Sequence, residues 1–400
     1  MNPATKKRLS RLLKLAVCAG ALWYLSDKVA LRDHARLAEE PGKAYILVSE
    51  SPETLQLRDP DTGRVFDVPP SALARPEQLQ KGWRSLEPGL LSIARRADWR
   101  WTAWSLLAMG PSILIMAWRL RLLLTTQDIS LSLRDATLLT FAGNFFNFAL
   151  PGTTGGDLYK AYHIAVRTHK RAEGVTIVLL DRAIGLISFL LIATGGIVVL
   201  SLMHKEMIGV YGQWVGWLMI ASIIGGAMFF SRRVRRWIRY DALLARLPFA
   251  DKLRRIDETT FSFRWHPWAT TASLLVTLVN HALIIVSVYC LARGLGIEAR
   301  AGRTESELLL ASLLCTTVGF LFAAIPISFQ GFGLFEAVFY RVLVEGGWST
   351  PSQMLALTVG VRLLQIVWSL PGIVVPWLGF ARPTGGLSAD EPAGAAKSLG

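Results

Sequence analysis

The sequence predicts an all-α polytopic membrane protein built from two inverted repeats. Each repeat holds about three spans plus one re-entrant broken helix, and a small β-rich soluble insertion follows the first helix. Three observations carry this expectation. Apolar stretches near the ~20 residues needed to cross a bilayer recur along the 400 residues. The chain is 52% hydrophobic with a mean hydropathy of +0.39, high for a water-soluble domain. Two of the apolar stretches are broken by Pro/Gly clusters that end in acids, and basic residues collect at particular span ends.

Along the chain, the first span covers residues 10–26. Its basic flank and short apolar run resemble a signal peptide, but no small-x-small cleavage site closes it, so segment 1–26 is expected to stay as a signal-anchor helix. Residues 27–98 are polar and dense in charge. "AYILV", "TLQLRD" and "RVFDVP" look like short strands and "DPDTG" like a turn, which predicts a β-rich extracytoplasmic insertion with an amphipathic approach to the membrane. The membrane domain, 99–380, opens with a span at 101–123, entered through Trp99, Trp101 and Trp104 and left at Arg119 and Arg121. Short segments follow at 134–150 and 156–171, then spans at 174–203 and 212–231. The linker 232–266 is strongly basic. After it come a span at 267–292, shorter pieces at 306–325 and 334–345, and a last span at 351–380 with a Pro371-Gly372 kink. Residues 381–400 read as a disordered cytoplasmic tail.

The net charge of +14 sits at the ends of apolar segments and in loops. That is the pattern of membrane topology and of attraction to anionic lipid headgroups, and it argues against nucleic-acid binding. Cys18, Cys290 and Cys315 lie inside apolar runs, without CxxC spacing or a histidine cluster. No metal, haem or nucleotide motif is present, so no cofactor is expected.

The breaks are Pro151-Gly152-x-x-Gly155-Gly156-Asp157 and Pro326-x-Ser328-x-Gln330-Gly331-x-Gly333-x-x-Glu336. Each follows an apolar half-helix, and each acid precedes an intramembrane arginine: Asp157 and Arg182 are 25 positions apart, Glu336 and Arg362 are 26. Interrupted segments at corresponding places in two halves mark a repeat transporter fold. With the N-terminus inside and both broken segments re-entrant, 134–171 dips in from the cytoplasm and 306–347 from the outside. "RTHKR", the linker 232–266 and the C-terminus then fall inside. Irregular backbone at membrane depth is tolerated where it is buried in protein or lines a wet cavity, so the breaks predict the two tips of a central polar cavity.

The motifs "NFALPGTTGGDLYKAYHI", "LLDRAIGL" and "PISFQGFGLFE" resemble the membrane domain of the bacterial lysylphosphatidylglycerol synthase/flippase family over roughly residues 101–380. The first signature falls on Asn147, Pro151, Gly152, Gly155, Gly156, Asp157 and Lys160, and the acid–arginine pair that follows on Asp181 and Arg182. The second falls on Pro326, Ser328, Gly331, Gly333 and Glu336. Asp181 stands where glutamate is usual, and Gln330 where glycine is common. The resemblance implies lipid translocation between leaflets in a bacterial cytoplasmic membrane. The chain ends soon after its last span, so the family's aminoacyl-transferring domain is not expected.

The residues leave alternatives open. Asp157 and Lys160 pair across a helical turn or face the cavity. Arg182 neutralises Asp181 or Asp157, or holds a lipid phosphate, and Glu336 and Arg362 carry the same choice. Ser328 and Gln330 read as helix caps. Asn144 faces the cavity or satisfies exposed carbonyls. Asn280 and His281 read as an interhelical hydrogen bond. Arg341 reads as snorkelling to the interface. The leading expectation is a flippase or transporter for an anionic or amino-modified lipid, and not an enzyme. The alternatives are a membrane enzyme acting on a lipid phosphate, and a non-transporting scaffold that partners a lipid-modifying or glycosyl-transferring enzyme.

Overall fold

The computed structural model describes residues 29–79, 83–149, 155–168, 171–203, 216–217, 219–220, 236, 265–298, 304–324 and 331–378. The first expected span, most of 212–231 and 232–266, the tail, and the break residues Pro151, Gly152, Pro326, Ser328 and Gln330 lie outside them.

The N-terminal unit is a five-stranded antiparallel sheet in the order β4-β3-β2-β1-β5. Its strands are β1 His34–Ala35, β2 Tyr45–Glu50, β3 Leu55–Arg58, β4 Val65–Val68 and β5 Leu86–Glu87. The three expected strands are present as β2 to β4. The expected turn forms because the Asp59 carboxylate accepts from Asp61 N at 2.9 Å, and Gly63 takes a φ of 70°. β1 and β5 have two residues each, too few to show alternation in sequence. Leu55, Leu57, Tyr45 and Ala35 form a small core.

The helical part begins with α1 (Leu90–Arg96), α2 (Trp99–Met109) and α3 (Pro111–Thr125). Pro111 lacks an N–H, so the helix breaks at Gly110 and restarts. Even so, Trp99–Thr125 together are long and apolar enough to cross a membrane. Then come α4 (Leu133–Ala149), α5 (Gly155–Arg167), α6 (Arg171–Met203), α7 (Pro267–Gly294) and α8 (Glu305–Ala323). α9 (Leu334–Phe339) continues as a π-turn over Tyr340–Val344, and α10 spans Pro351–Ser369. Start signals are local: Pro267 and Pro351 occupy first-turn positions, and Thr304–Glu307 and Thr350–Gln353 form capping boxes.

Among the described residues, five segments have the length and composition of a membrane span: Trp99–Thr125, Arg171–Val199, Pro267–Gly294, Glu305–Ala323 and Pro351–Leu378. Their outer faces carry apolar side chains such as Leu107, Leu114, Leu179, Ile187, Leu275, Val279 and Leu363, as expected where the solvent is lipid. Exposed Trp99 and Trp104 mark one end of the bundle, and Trp265, Trp268 and Trp377 the other. Trp101 turns inward instead, edge-on to Tyr289.

Two helix pairs fold back on themselves. In α4–α5, Gly143 lies against Lys160 and Gly156, Asn147 against Gly156, and Phe146 against Tyr159, an antiparallel register. In α8–α9, Ala323 lies against Gly331 and Phe320 against Phe335, again antiparallel. The sheet docks at the end where α10 begins, with Ala30 N donating to Ser352 Oγ at 3.1 Å and Arg84 Nη2 to Trp348 O at 3.4 Å. The main core lies between α7, α8, α9 and α10, around Phe339, Leu308, Leu343, Met354 and Leu357.

Candidate functional site

Close backbone approach builds the first hairpin. A Cβ on Gly156 would sit 1.9 Å from Gly143 O, so only glycine lets α5 press against α4 there. Gly156 N then donates to Asn147 Oδ1 at 2.8 Å, which satisfies one of the free N–H groups at the start of α5. In the second hairpin Gly331 has a φ of 72°, and its Cβ would lie 2.4 Å from Ala323, so the turn requires glycine twice over. Gly333, with a φ of 90°, caps α9 and donates its N–H to Glu336 Oε2 at 2.7 Å.

The acids pair at the predicted spacing. Arg182 Nη1 donates to Asp157 Oδ2 at 2.5 Å. Arg362 donates to Glu336 Oε1 through Nη2 at 2.8 Å and Nε at 3.1 Å, and its guanidinium lies 3.8 Å from the centroid of the Phe332 ring. Glu336 thus uses one oxygen for the cap and the other for the arginine. Of the two acids open to Arg182, the structure selects Asp157. Asp181 has a partner that the sequence did not suggest: Arg119 Nε donates to it at 2.7 Å, and Arg119 Nη1 donates to Thr277 Oγ1 at 2.8 Å. The expectation that Arg119 marks a span exit is therefore corrected. It is buried on the inner face of α3, and Arg121, two residues on, is exposed. Helical geometry decides this, because residues two apart point to nearly opposite sides.

One cavity of about 380 Å³ collects most of these groups. Asn144, Asn147, Asp157 and Lys160 come from the first hairpin, Asp181 and Arg182 from α6, Phe320 and Phe335 from the second hairpin, and Arg362 from α10. Arg182 also reaches across to the end of α8, with Nη2 3.5 Å from Ala324 O. Glu336 holds Arg362 from behind the wall and Gly331 packs against the lining residue Ala323, while Gly155 and Gly333 lie outside the lining at the starts of α5 and α9. Pro151, Gly152, Pro326, Ser328 and Gln330 fall outside the described residues, so the expected capping by Ser328 and Gln330 does too.

One further expectation changes. Among the described residues, Asn280 and His281 make no interhelical hydrogen bond. They line the cavity, His281 lies flat on Phe189 with ring centroids 3.5 Å apart, and Asn280 Oδ1 and His281 Nδ1 have no hydrogen-bond partner among the described residues. Arg341 pairs with Glu345 at 3.1 Å, one helical turn on, and stays exposed. Asp157 and Lys160 do not pair, since Arg182 holds the carboxylate. No group of His, Cys, Asp and Glu with metal-ligand geometry occurs among the described residues.

The sequence model of the lysylphosphatidylglycerol synthase TM region matches residues 82–372, the stretch that contains both hairpins and every group around the cavity. The chain belongs to this family. The match also starts earlier than the expected 101, taking in β5, α1 and the start of α2. No curated protein matches the chain. Family membership and the apolar outer faces together make this a multi-pass membrane protein of the lysylphosphatidylglycerol synthase TM family.

Proposed function

We propose that this protein moves a phospholipid or lipid-linked substrate from one leaflet to the other, with the headgroup in the charged cavity and the tails in the bilayer. The observation that carries the reading is the cavity's position between two hairpins. Arg182 and Arg362 each lie eleven residues into their helices, α6 from Arg171 and α10 from Pro351. At 1.5 Å per residue that is ~16 Å, about half the hydrocarbon thickness. α6 and α8 pack antiparallel through Phe189–Phe320 and Gly196–Leu313, and α8 starts at the end of the bundle where α10 starts, so α6 and α10 enter from opposite ends.

In this reading the hairpins are re-entrant and related by inverted topology, each holding an acid that clamps the arginine of the next span. The sheet faces outward, both termini face the cytoplasm, and the membrane is the bacterial cytoplasmic membrane, because the basic linker and "RTHKR" then lie inside. Rocking one repeat against the other would open the cavity to each leaflet in turn. The chain performs no covalent chemistry on the lipid.

The test is movement of labelled phospholipids in proteoliposomes holding the full chain, wild type beside Asp157→Asn and Arg182→Gln. Wild type should move lipid, and both variants should lose about ten-fold or more. Wild-type rates in variants that fold would remove the cavity from the path.

A further inference from the structure

The first turn of α2 and the short helix before it put unpaired arginines at the rim of the bundle. In α1, Leu91 and Arg95 share one face and are exposed, while Ile93 on the opposite face is buried. Arg96, the next residue, is exposed too. The segment before β1 lies along the start of α1, with Leu90 N donating to Ala30 O at 2.9 Å and Leu91 N to Leu31 O at 3.3 Å. That places Leu31 and Arg32, both exposed, beside Leu91. In α2, Arg100 falls on one helical stripe with the exposed Trp104 and Leu107. Its guanidinium lies 5.9 Å from the centroid of the Trp99 ring.

This surface mixes apolar and basic chemistry. Leu31, Leu91 and Trp99 are 65%, 55% and 72% exposed, and Arg32, Arg95, Arg96 and Arg100 stand among them. Among the described residues, none of these four guanidiniums has a carboxylate partner. Arg293 at the same end differs: it lies 5.4 Å from the Trp101 ring and pairs with Glu305. The acids near the cluster in sequence, Asp33 and Asp98, accept from the backbone N–H groups of Gly89 and Arg100. Orientation does not account for the cluster. In the topology proposed above the sheet and α1 face outward, whereas arginines that fix orientation collect on the cytoplasmic side. A lipid ligand does account for it. Trp99 and Trp104 mark the level of the interface, where an arginine can reach a phosphate while leucines beside it touch the acyl boundary.

We infer that α1 lies in the bilayer interface and that Arg32, Arg95, Arg96 and Arg100 dock anionic phospholipid headgroups of the outer leaflet. The unpaired positive charge selects an anion, and the exposed leucines and tryptophan select one carried by a bilayer. This surface is separate from the cavity, since none of its residues lines that space. Docking there holds the sheet against the membrane beside the start of α10, to which the sheet is bonded through Ser352. The inference rests on the outward placement of the sheet and not on lipid movement.

The experiment is hydrogen exchange of the full chain in nanodiscs, read by mass spectrometry over residues 90–96. One set of discs is dioleoylphosphatidylcholine, and the other is that lipid mixed with dioleoylphosphatidylglycerol. Each arginine near an anionic surface is worth about five-fold in binding, so exchange over α1 should slow about ten-fold or more in the mixed discs. High salt should remove most of the difference. Arg95→Gln/Arg96→Gln should also remove most of it, and Arg95→Lys/Arg96→Lys should keep it, because the attraction is to charge. Both arginines are exposed, so the variants should fold. The side of the membrane is read by labelling Thr62→Cys, in the exposed turn of the sheet, with a membrane-impermeant maleimide on right-side-out vesicles.

Equal exchange in the two lipids overturns the inference, as does slowing that survives Arg95→Gln/Arg96→Gln. Slowing by added poly-glutamate but not by phosphatidylglycerol would assign the surface to an acidic protein and reject the lipid. Labelling of Thr62→Cys only after the vesicles are opened would place the arginines inside, where orientation alone explains them. Lipid movement in proteoliposomes is read separately, so its absence would reject the flippase reading and leave a positive exchange result standing.

Discussion

Removing Arg119 should destabilise the protein far more than removing Arg119 and Asp181 together. The pair joins α3 to α6, and Arg119 also reaches Thr277 on α7, so three helices meet at one guanidinium. The Arg119 and Asp181 side chains are 4% and 8% exposed, so the contact is almost dry. Arg119→Met leaves the Asp181 carboxylate without its cation. Breaking a buried pair in this way costs about 3–5 kcal/mol, because the remaining charge is uncompensated. Loss of neutral interhelical hydrogen bonds in a membrane costs much less, about 0.6 kcal/mol each on average. The two accounts are therefore separable. The double variant Arg119→Met/Asp181→Leu removes both charges and should fall within about 1 kcal/mol of wild type. The assay is equilibrium unfolding in mixed micelles by titration with a denaturing detergent, read by circular dichroism. The double variant should therefore be about 2–4 kcal/mol more stable than the Arg119→Met single. An Arg119→Met protein that loses under about 1.5 kcal/mol, or a double variant as unstable as the single, would refute the argument that this charge pair is dry.

Two further outcomes follow from the geometry. Gly156→Ala should cost about 1–3 kcal/mol and loosen α4 from α5, since its Cβ would overlap Gly143 O at 1.9 Å and Asn147 Oδ1 at 2.8 Å. Gly195→Ala, with nothing within 4 Å of the new atom, should be neutral or slightly stabilising in the same detergent titration. In the sheet, burial pushes the Glu87 carboxyl above its usual 4.5, and Arg36 at 3.9 Å only partly offsets this. The folded state then favours the protonated acid, so this group's stabilising contribution is full below pH 4.5 and is lost as pH rises through the raised folded value. Hydrogen-exchange protection of β1 and β5 should fall as pH rises above 4.5 in wild type. Glu87→Gln, which still accepts from Arg84 N, should flatten that fall. Asp59 works in a different window: it is lowered, chiefly by the Asp61 N–H bond, and its contribution is present above 3.8 and lost in stronger acid. A wild-type profile unchanged by Glu87→Gln would sink the assignment.

The sequence by itself determined the longer described elements and two of the site's three ion pairs. Span lengths follow from apolar runs, helix starts from Pro267, Thr304 and Thr350, and the sheet's central strands from alternation around the Asp59–Gly63 turn. Asp157–Arg182 and Glu336–Arg362 were legible because each break places an acid at a helix start and each next span holds an arginine at matching depth. The family resemblance was legible for the same reason, since backbone breaks and charges at membrane depth tolerate few alternatives.

Only the tertiary structure decided the rest. Arg119 reads as an exit residue until α3 is seen to turn it toward Asp181, 62 positions away. Asn280 and His281 read as an interhelical hydrogen bond until α7 is seen to face them into the cavity. Lys160 reads as a partner for Asp157 until Arg182 takes that carboxylate first. In each case the local pattern names the group and its depth, but partner choice depends on helix rotation and on competition between distant charges. Those are set by how the helices pack and not by the residues beside each group in the chain.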